Sequence, residues 1–514
     1  MPRIESSSIK KISSLIPYII LIIIVILFII NQIYIAHYIY NIYSSKPWRN
    51  AYVSDEIYYV STARNFLVKI FSLRSIRVYN NYFYFTIFFK DAPEEDVIVN
   101  LIKKYDIDLL DTTYSRSYVV TIVAVMDNTN KTFYKYYGGA NAIYIRSCYI
   151  ENIDKFISDL ELMNYSVIDV IPGWAYPDKA GINNYFNLEH PPLGKYLIAL
   201  SILVLGDNPI AWRIPSLVAT IIIFVLSYFI CVEVLRDMIG YRLSKWVSLL
   251  SPIILYFDSS LRTVGVLAML DPYVALFTII GVYFFVKNSS RSNDLVKKFS
   301  WVLAGLSKFS GLFIVPADVI DKAVFGSYSL KDRFKVLLRE LFIYVILFTI
   351  LLIVFSLPLI TYIGFNEWLR QSIIDAFKWH TKTKHALTSG PPTTSPIDWL
   401  FGWNAFPLWY DPQTGRHVKC VGLPPIYLAS FILNLLFAPI ILKLEKPRRI
   451  WLSFYSIWFM YMVLYIIGNR SLYSFYIIQF SPLLVIQFIV CISILFKTVT
   501  ETRNNKQLIS SGLS

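Results

Sequence analysis

The chain has 514 residues, 56% of them hydrophobic and 17% aromatic against 16% charged, too little polar surface for a soluble protein of this length. Lys and Arg number 48 against 34 Asp and Glu, a formal charge of +14. In a membrane protein such an excess sits in cytoplasmic loops, so no nucleic-acid partner is needed to explain it. Cys148, Cys231, Cys420 and Cys491 show no metal-type spacing and imply no disulfide framework.

The first apolar run, about 15–35, follows Arg3, Lys10 and Lys11. It is too long for a signal-peptide core, and no small-residue cleavage site follows, so it reads as a retained anchor. Further runs near the roughly 20 residues that span a bilayer lie at 211–234, 244–261, 269–287, 339–362, 423–443, 450–467 and 473–497. A weaker stretch, 299–326, is broken at Pro316 and carries Lys308, Asp318 and Asp321; it reads as two short spans. The fold class predicted is therefore a polytopic α-helical membrane protein of about ten transmembrane helices. With the N-terminus inside, alternate loops collect the cations, including Arg236, Arg242 and Lys245, then Lys287, Arg291, Lys297 and Lys298, then Lys443, Lys446, Arg448 and Arg449. That parity puts both termini in the cytoplasm and two long segments, 37–210 and 363–422, outside.

The first outer segment carries an insert at about 70–175. Strand-like alternation covers 77–89, Asp91-Ala-Pro-Glu94 resembles a capping box that opens a helix to Lys104, and strand-like runs follow at 117–126 and 132–147. A second helix places Ile153, Phe156, Ile157 and Leu160 on one face before a strand at 166–171. The order βαββαβ predicts an extracytoplasmic α+β domain of the ferredoxin-like kind. Asn130-Lys-Thr and Asn164-Tyr-Ser are glycosylation sequons, and Cys148 shares the outer side with Cys420, leaving a disulfide open. The organisation is then 1–69, first helix and acidic motif; 70–175, insert; 176–362, membrane core; 363–422, outer aromatic loop; and 423–514, C-terminal helices and tail.

Four segments carry titratable groups at the outer boundary. Ser54-Asp55-Glu56 leads into a helical pattern that ends in Arg64; the plain alternative is an acid-capped juxtamembrane helix. Asn187-Leu-Glu189-His190-Pro191-Pro192-Leu-Gly194-Lys195 opens a short apolar piece, 193–206, that lies in the interface; its alternative is a Pro-started helix with a snorkelling Lys. Arg262 and Leu270-Asp271-Pro272 stand between two spans, where an unpaired acid is costly and points to function, an N-cap being the alternative. Gly305-Leu-Ser-Lys308-Phe-Ser-Gly311 sets a cation in a glycine-broken span.

The succession "DE…AR", "EHPPLGK", "WRIPS", "LDP" and "GLSKFSG" resembles the GT-C superfamily of membrane glycosyltransferases, above all the dolichyl-phosphate-mannose protein O-mannosyltransferases and the lipid A aminoarabinose transferases. It covers 14–68 and 185–320. Trp379-His380, His385 and Ser395-Pro396 with Trp399 are similar to the outer-loop motif of the O-mannosyltransferases, and Arg470 with Tyr473-Ser-Phe-Tyr476 to an Arg-aromatic stretch near their C-terminal helices. The insert and the absence of a soluble sugar-binding domain depart from the mannosyltransferase pattern.

The resemblance implies inverting transfer of a sugar from a polyprenyl- or dolichyl-phosphate donor to an extracytoplasmic protein or glycolipid acceptor, at the outer face of the bilayer. Asp55 would be the base and Glu56 would orient it or the acceptor. His190 takes the place of a phosphate-contacting lysine of the aminoarabinose relatives. Lys195, Arg262, Lys308 and Arg470 are further phosphate candidates, with Glu189, Asp271, His380 and His385 completing the site. No cofactor is required, although Asp55, Glu189 and Asp271 could converge on a divalent cation. The rival class, a transporter, predicts internal repeats and mid-membrane charges; no repeat is seen, and the titratable groups singled out above sit at the outer boundary.

Overall fold

The computed structural model describes residues 2–43, 52–73, 83–113, 120–126, 132–138, 141–172, 185–287, 290–378, 393–469 and 472–511. The polypeptide is mostly helical. Among the described residues five helices are long and apolar enough to cross a membrane: Leu15–Ile42, Pro209–Ile239, Leu330–Ile363, Glu445–Ile466 and Ser481–Val499. The chain is a multi-pass membrane protein.

In chain order the membrane part begins with α1 (Pro2–Tyr43) and α2 (Glu56–Asn65), and resumes after the insert with α5 (Leu193–Leu205) and α6 (Pro209–Ile239). Asn208 starts α6: its side chain accepts the N–H groups of Ile210 (3.1 Å) and Ala211 (3.0 Å), and Pro209 supplies the preset first φ. The run expected to be one span at 244–261 is broken into α7 (Tyr241–Val247), α8 (Leu250–Tyr256) and α9 (Ser259–Val264). Asp258 interrupts it, because its carboxylate caps Ser260 N–H at 2.8 Å and so restarts the helix. Then come α10 (Asp271–Val286), α11 (Arg291–Ser307), a 3-10 turn at Phe309–Ile314, α12 (Val315–Phe325) and α13 (Leu330–Ile363). The break in 299–326 lies at Lys308, which is extended at φ −161°, and not at Pro316, which sits in the first turn of α12.

The insert holds β1 (Phe83–Phe89), α3 (Glu95–Tyr105), β2 (Asp108–Thr113), β3 (Val120–Met126), β4 (Thr132–Gly138), β5 (Asn141–Ser147), α4 (Ile150–Leu162) and β6 (Val167–Pro172). Four strands form one antiparallel sheet in the order β2-β5-β1-β6, while β3 and β4 pair apart as a hairpin. The strand-like runs at 117–126 and 132–147 therefore divide differently from the sequence expectation. The second sheet strand is 108–113, and only 141–147 of the later run joins the sheet. The capping box also shifts, since α3 starts from Glu94, whose side chain caps nothing. Ile87, Phe89, Ile143 and Ile145 point to one side and bury Ile98 and Leu101 of α3 and Ile153, Phe156 and Leu160 of α4. Tyr144, on the opposite side of β5, joins the core of the membrane part. The four cysteines are free, with Cys148 exposed and Cys420 buried.

Candidate active site

Ser54 adopts a left-handed backbone (φ 54°), unusual for a residue with a side chain, and turns the chain just before Asp55. The Asp55 carbonyl accepts the N–H groups of Tyr58 and Tyr59 (3.0 and 3.3 Å), but its carboxylate makes no capping bond. The capping alternative thus fails for this acid. Its neighbour behaves oppositely. Glu56 is fully buried and accepts from Arg213 Nε (2.8 Å), Arg213 Nη2 (2.7 Å), Val53 N–H (2.9 Å) and Ala268 N–H (2.8 Å). With four donors on its two oxygens, Glu56 has no capacity left for an acceptor substrate. Of the two expected roles, orienting Asp55 or orienting the acceptor, its contacts fit the first: it fastens the acidic turn to α6 and to the loop before α10.

A second clamp lies beside the first. Arg64 grips Asp207 with Nε (2.5 Å) and Nη2 (3.0 Å) and donates to Tyr52 Oη (2.8 Å), while Trp212 Nε1 donates to Asp207 at 2.7 Å. Paired guanidinium–carboxylate forks fix orientation as well as distance.

Asp271 is buried in the first turn of α10, and the N-cap position belongs to Leu270. One carboxylate oxygen accepts Lys308 Nζ at 3.0 Å; the other, also buried, has no hydrogen-bond partner among the described residues. Lys308 reaches this point because α11 stops there, and its ammonium rests 3.9 Å from the centre of the Tyr476 ring. The return of the chain needs Gly311: a Cβ there would stand 2.1 Å from the Ala304 carbonyl carbon and 2.5 Å from the Gly305 nitrogen. Since both are backbone atoms of α11, Gly311→Ala should push the 3-10 turn outward, cost about 1–3 kcal/mol and displace Lys308. Melting temperature and activity measured side by side check this, and an unchanged melting temperature contradicts it.

Asp55 lies within electrostatic reach of this pair. Burial pushes its carboxyl up to about 6, the Lys308 ammonium pulling against the shift and the Asp271 carboxylate adding to it. Burial likewise raises Tyr59 far above the usual phenol range, and the charges of Asp55, Asp271, Tyr476 and Glu189 all add to it.

In the segment from Asn187, also left-handed at φ 46°, Glu189 accepts from Asn187 Nδ2 (2.8 Å) and from Tyr185. The His190 ring leans on Tyr59 with centroids 6.2 Å apart. Lys195 is fully buried and donates to the carbonyls of Asn187 (2.5 Å) and His190 (2.7 Å). Its expected phosphate contact is corrected: the lysine staples the turn that presents Glu189 and His190. Arg262 forms no ion pair among the described residues, and its buried Nε has no hydrogen-bond partner there. His380, His385 and Arg470 lie outside the described residues.

Among the described residues no three His, Cys, Asp or Glu side chains gather as ligands for a metal ion. Asp55, Glu189 and Asp271, which could have converged on one divalent cation, form no such group: Asp271 pairs with Lys308, and Glu189 accepts from Asn187 and Tyr185. In the segment 363–422 Trp368 and Trp399 are packed inside, Trp399 donating to Thr394 Oγ1 at 2.6 Å, while Trp403 and Tyr410 stay exposed. Sequence reasoning assigned no role to Arg213, Asp207, Tyr59 or Tyr476. An arginine and an aspartate at the start of an apolar helix were the available signal, since each needs an opposite charge there.

The comparisons agree with the class of protein the sequence resembles. Residues 180–374 match the family model of dolichyl-phosphate-mannose-protein mannosyltransferases, a stretch that contains Glu189, His190, Arg262, Asp271 and Lys308 but not Asp55. The chain is 30% identical over 135 residues to the polyprenol-phosphate-mannose–protein mannosyltransferase of Corynebacterium glutamicum, covering 25% of each chain; it thus spans about a quarter of that relative's length. Crystal structures of ArnT from Cupriavidus metallidurans, in the apo state and bound to undecaprenyl phosphate, align with TM-scores of 0.37 at 14% identity. They cover 59% of this chain and 49% and 50% of theirs. The likeness to protein mannosyltransferases rests on the family model and on the Corynebacterium relative.

Proposed function

We propose that the protein is an inverting glycosyltransferase that moves a sugar, mannose in the first instance, from a polyprenyl-phosphate donor to a Ser or Thr hydroxyl of an extracytoplasmic protein. One observation carries the reading: an uncapped, half-buried Asp55 whose proton affinity is raised toward neutrality, beside the Asp271–Lys308 pair. The acceptor oxygen attacks the anomeric carbon as its proton passes to Asp55, the carbon–phosphate oxygen bond breaks on the opposite side, and the lipid phosphate leaves as an anion. Lys308 and Arg262, with His190 nearby, hold that phosphate, and Asp271 keeps Lys308 in place. Loop charge supports a site on the outer side with both termini in the cytoplasm. The strand order β2-β5-β1-β6 supports a ferredoxin-like insert. A glycolipid acceptor is the alternative.

Purified protein should transfer label from radiolabelled polyprenyl-phosphate mannose to a Ser/Thr-containing peptide. No transfer to peptide or lipid overturns the reading; transfer to lipid alone moves the acceptor. Lys308→Gln should lower kcat about 10²-fold at saturating donor by removing a donor to the developing phosphate charge, and unaltered kcat removes Lys308 from the mechanism.

A further inference from the structure

At the far end of α10 lies a second charged site that the proposed chemistry does not use. The helix has 16 residues, so Asp271 at its start and the pocket around its end are separated by about 24 Å along the axis, close to a bilayer's apolar depth. The pocket, about 320 Å³, is lined by the end of α10, the start of α11, α12, the first turns of α13 and Arg449 of the helix Glu445–Ile466, with six basic and four acidic side chains. Every acid is matched. Asp294 binds Lys297 and Lys298, Asp318 binds Lys297, Glu340 binds Lys298 and Lys322, and Asp321 binds Arg448 and Arg449. Lys287 and Arg291, both exposed on the rim, have no acidic partner among the described residues.

Directly beside it, α11 and α13 enclose a largely apolar groove of about 640 Å³, walled by Leu295, Phe299, Phe342, Ile346 and Ile350 among others. The one charged residue in that wall is Lys298, whose ammonium meets Glu340 of the neighbouring pocket at 2.8 Å. An apolar channel therefore ends against a pocket with surplus positive charge, the complement of one amphiphile. We infer that this junction binds an anionic glycerophospholipid of the leaflet opposite the active site, its acyl chain in the α11–α13 groove and its phosphate at Lys287 and Arg291. The inference is independent of the proposed activity.

Native mass spectrometry of the full chain in detergent tests it, with phosphatidylglycerol and phosphatidylcholine of identical acyl chains competing. At about fivefold per surface cation, two cations give about a 30-fold preference for the anionic lipid. The double charge reversal Lys287→Glu with Arg291→Glu should erase that preference, and Leu295→Trp, which fills the groove, should lower occupancy by both lipids. Equal binding of the two lipids, or a preference that survives the charge reversal, overturns the proposal. So does displacement of bound lipid by millimolar inorganic phosphate alone, because the groove would then contribute nothing.

Discussion

Asp55→Asn is expected to reduce sugar transfer about 10³-fold, within the 10²–10⁴ range of a positioned general base, while leaving the fold intact. The amide keeps the shape of the side chain but cannot take the acceptor's proton. Because the folded carboxyl titrates at about 6, above its ordinary value near 3.9, the folded state favours the protonated form. That stabilisation is present at low pH and is lost as pH rises through about 6, so the ionised carboxylate is a burden at neutral pH. The variant should accordingly melt no lower than the wild type at pH 7. Wild-type activity should fall tenfold per pH unit below about 6 as the base is protonated. A pH profile without an acid limb in that region, or an Asn variant with wild-type turnover, removes Asp55 from the chemistry.

Breaking the neighbouring clamp should act on the fold instead. Arg213 and Glu56 are 1% and 0% exposed, and removing one partner of such a pair strands the other charge, at a cost of about 3–5 kcal/mol. Arg213→Met should therefore lower the melting temperature in detergent markedly and release the acidic turn. Pairing it with Glu56→Gln should recover much of the stability, since no buried charge then remains. Activity should stay low in the double variant, because the bonds to α6 that hold Asp55 in register are weakened. A single variant as stable as wild type contradicts this account.

The long apolar helices were legible because their signal is a run of one kind of residue, and the acid and basic motifs because charges at a membrane boundary stand out. What sequence could not divide was labour among adjacent charges. Asp55 and Glu56 look alike until Arg213, 157 residues away, and the Ala268 amide claim one of them. Lys195 and Lys308 both read as phosphate candidates; the first turns inward to two carbonyls and the second to Asp271. The strand Asp108–Thr113 was missed because Asp-Leu-Leu-Asp-Thr-Thr lacks alternation and carries poor strand formers. Its place depends on the edge of β5, a contact no local pattern encodes. The continuous span expected at 244–261 yielded to Asp258, a cap that outweighs the apolar run around it.

The two buried guanidinium–carboxylate clamps also bear on how such a protein can change over time. Glu56 to Arg213 and Arg64 to Asp207 tie together the two ends of one long excursion of the chain, and the whole α+β insert hangs within that excursion. Lengthening a loop whose ends are already pinned adds only a slowly growing entropic cost. The excursion is therefore a natural docking bay, where modules of different size can be exchanged by descent while the machinery behind them stays aligned.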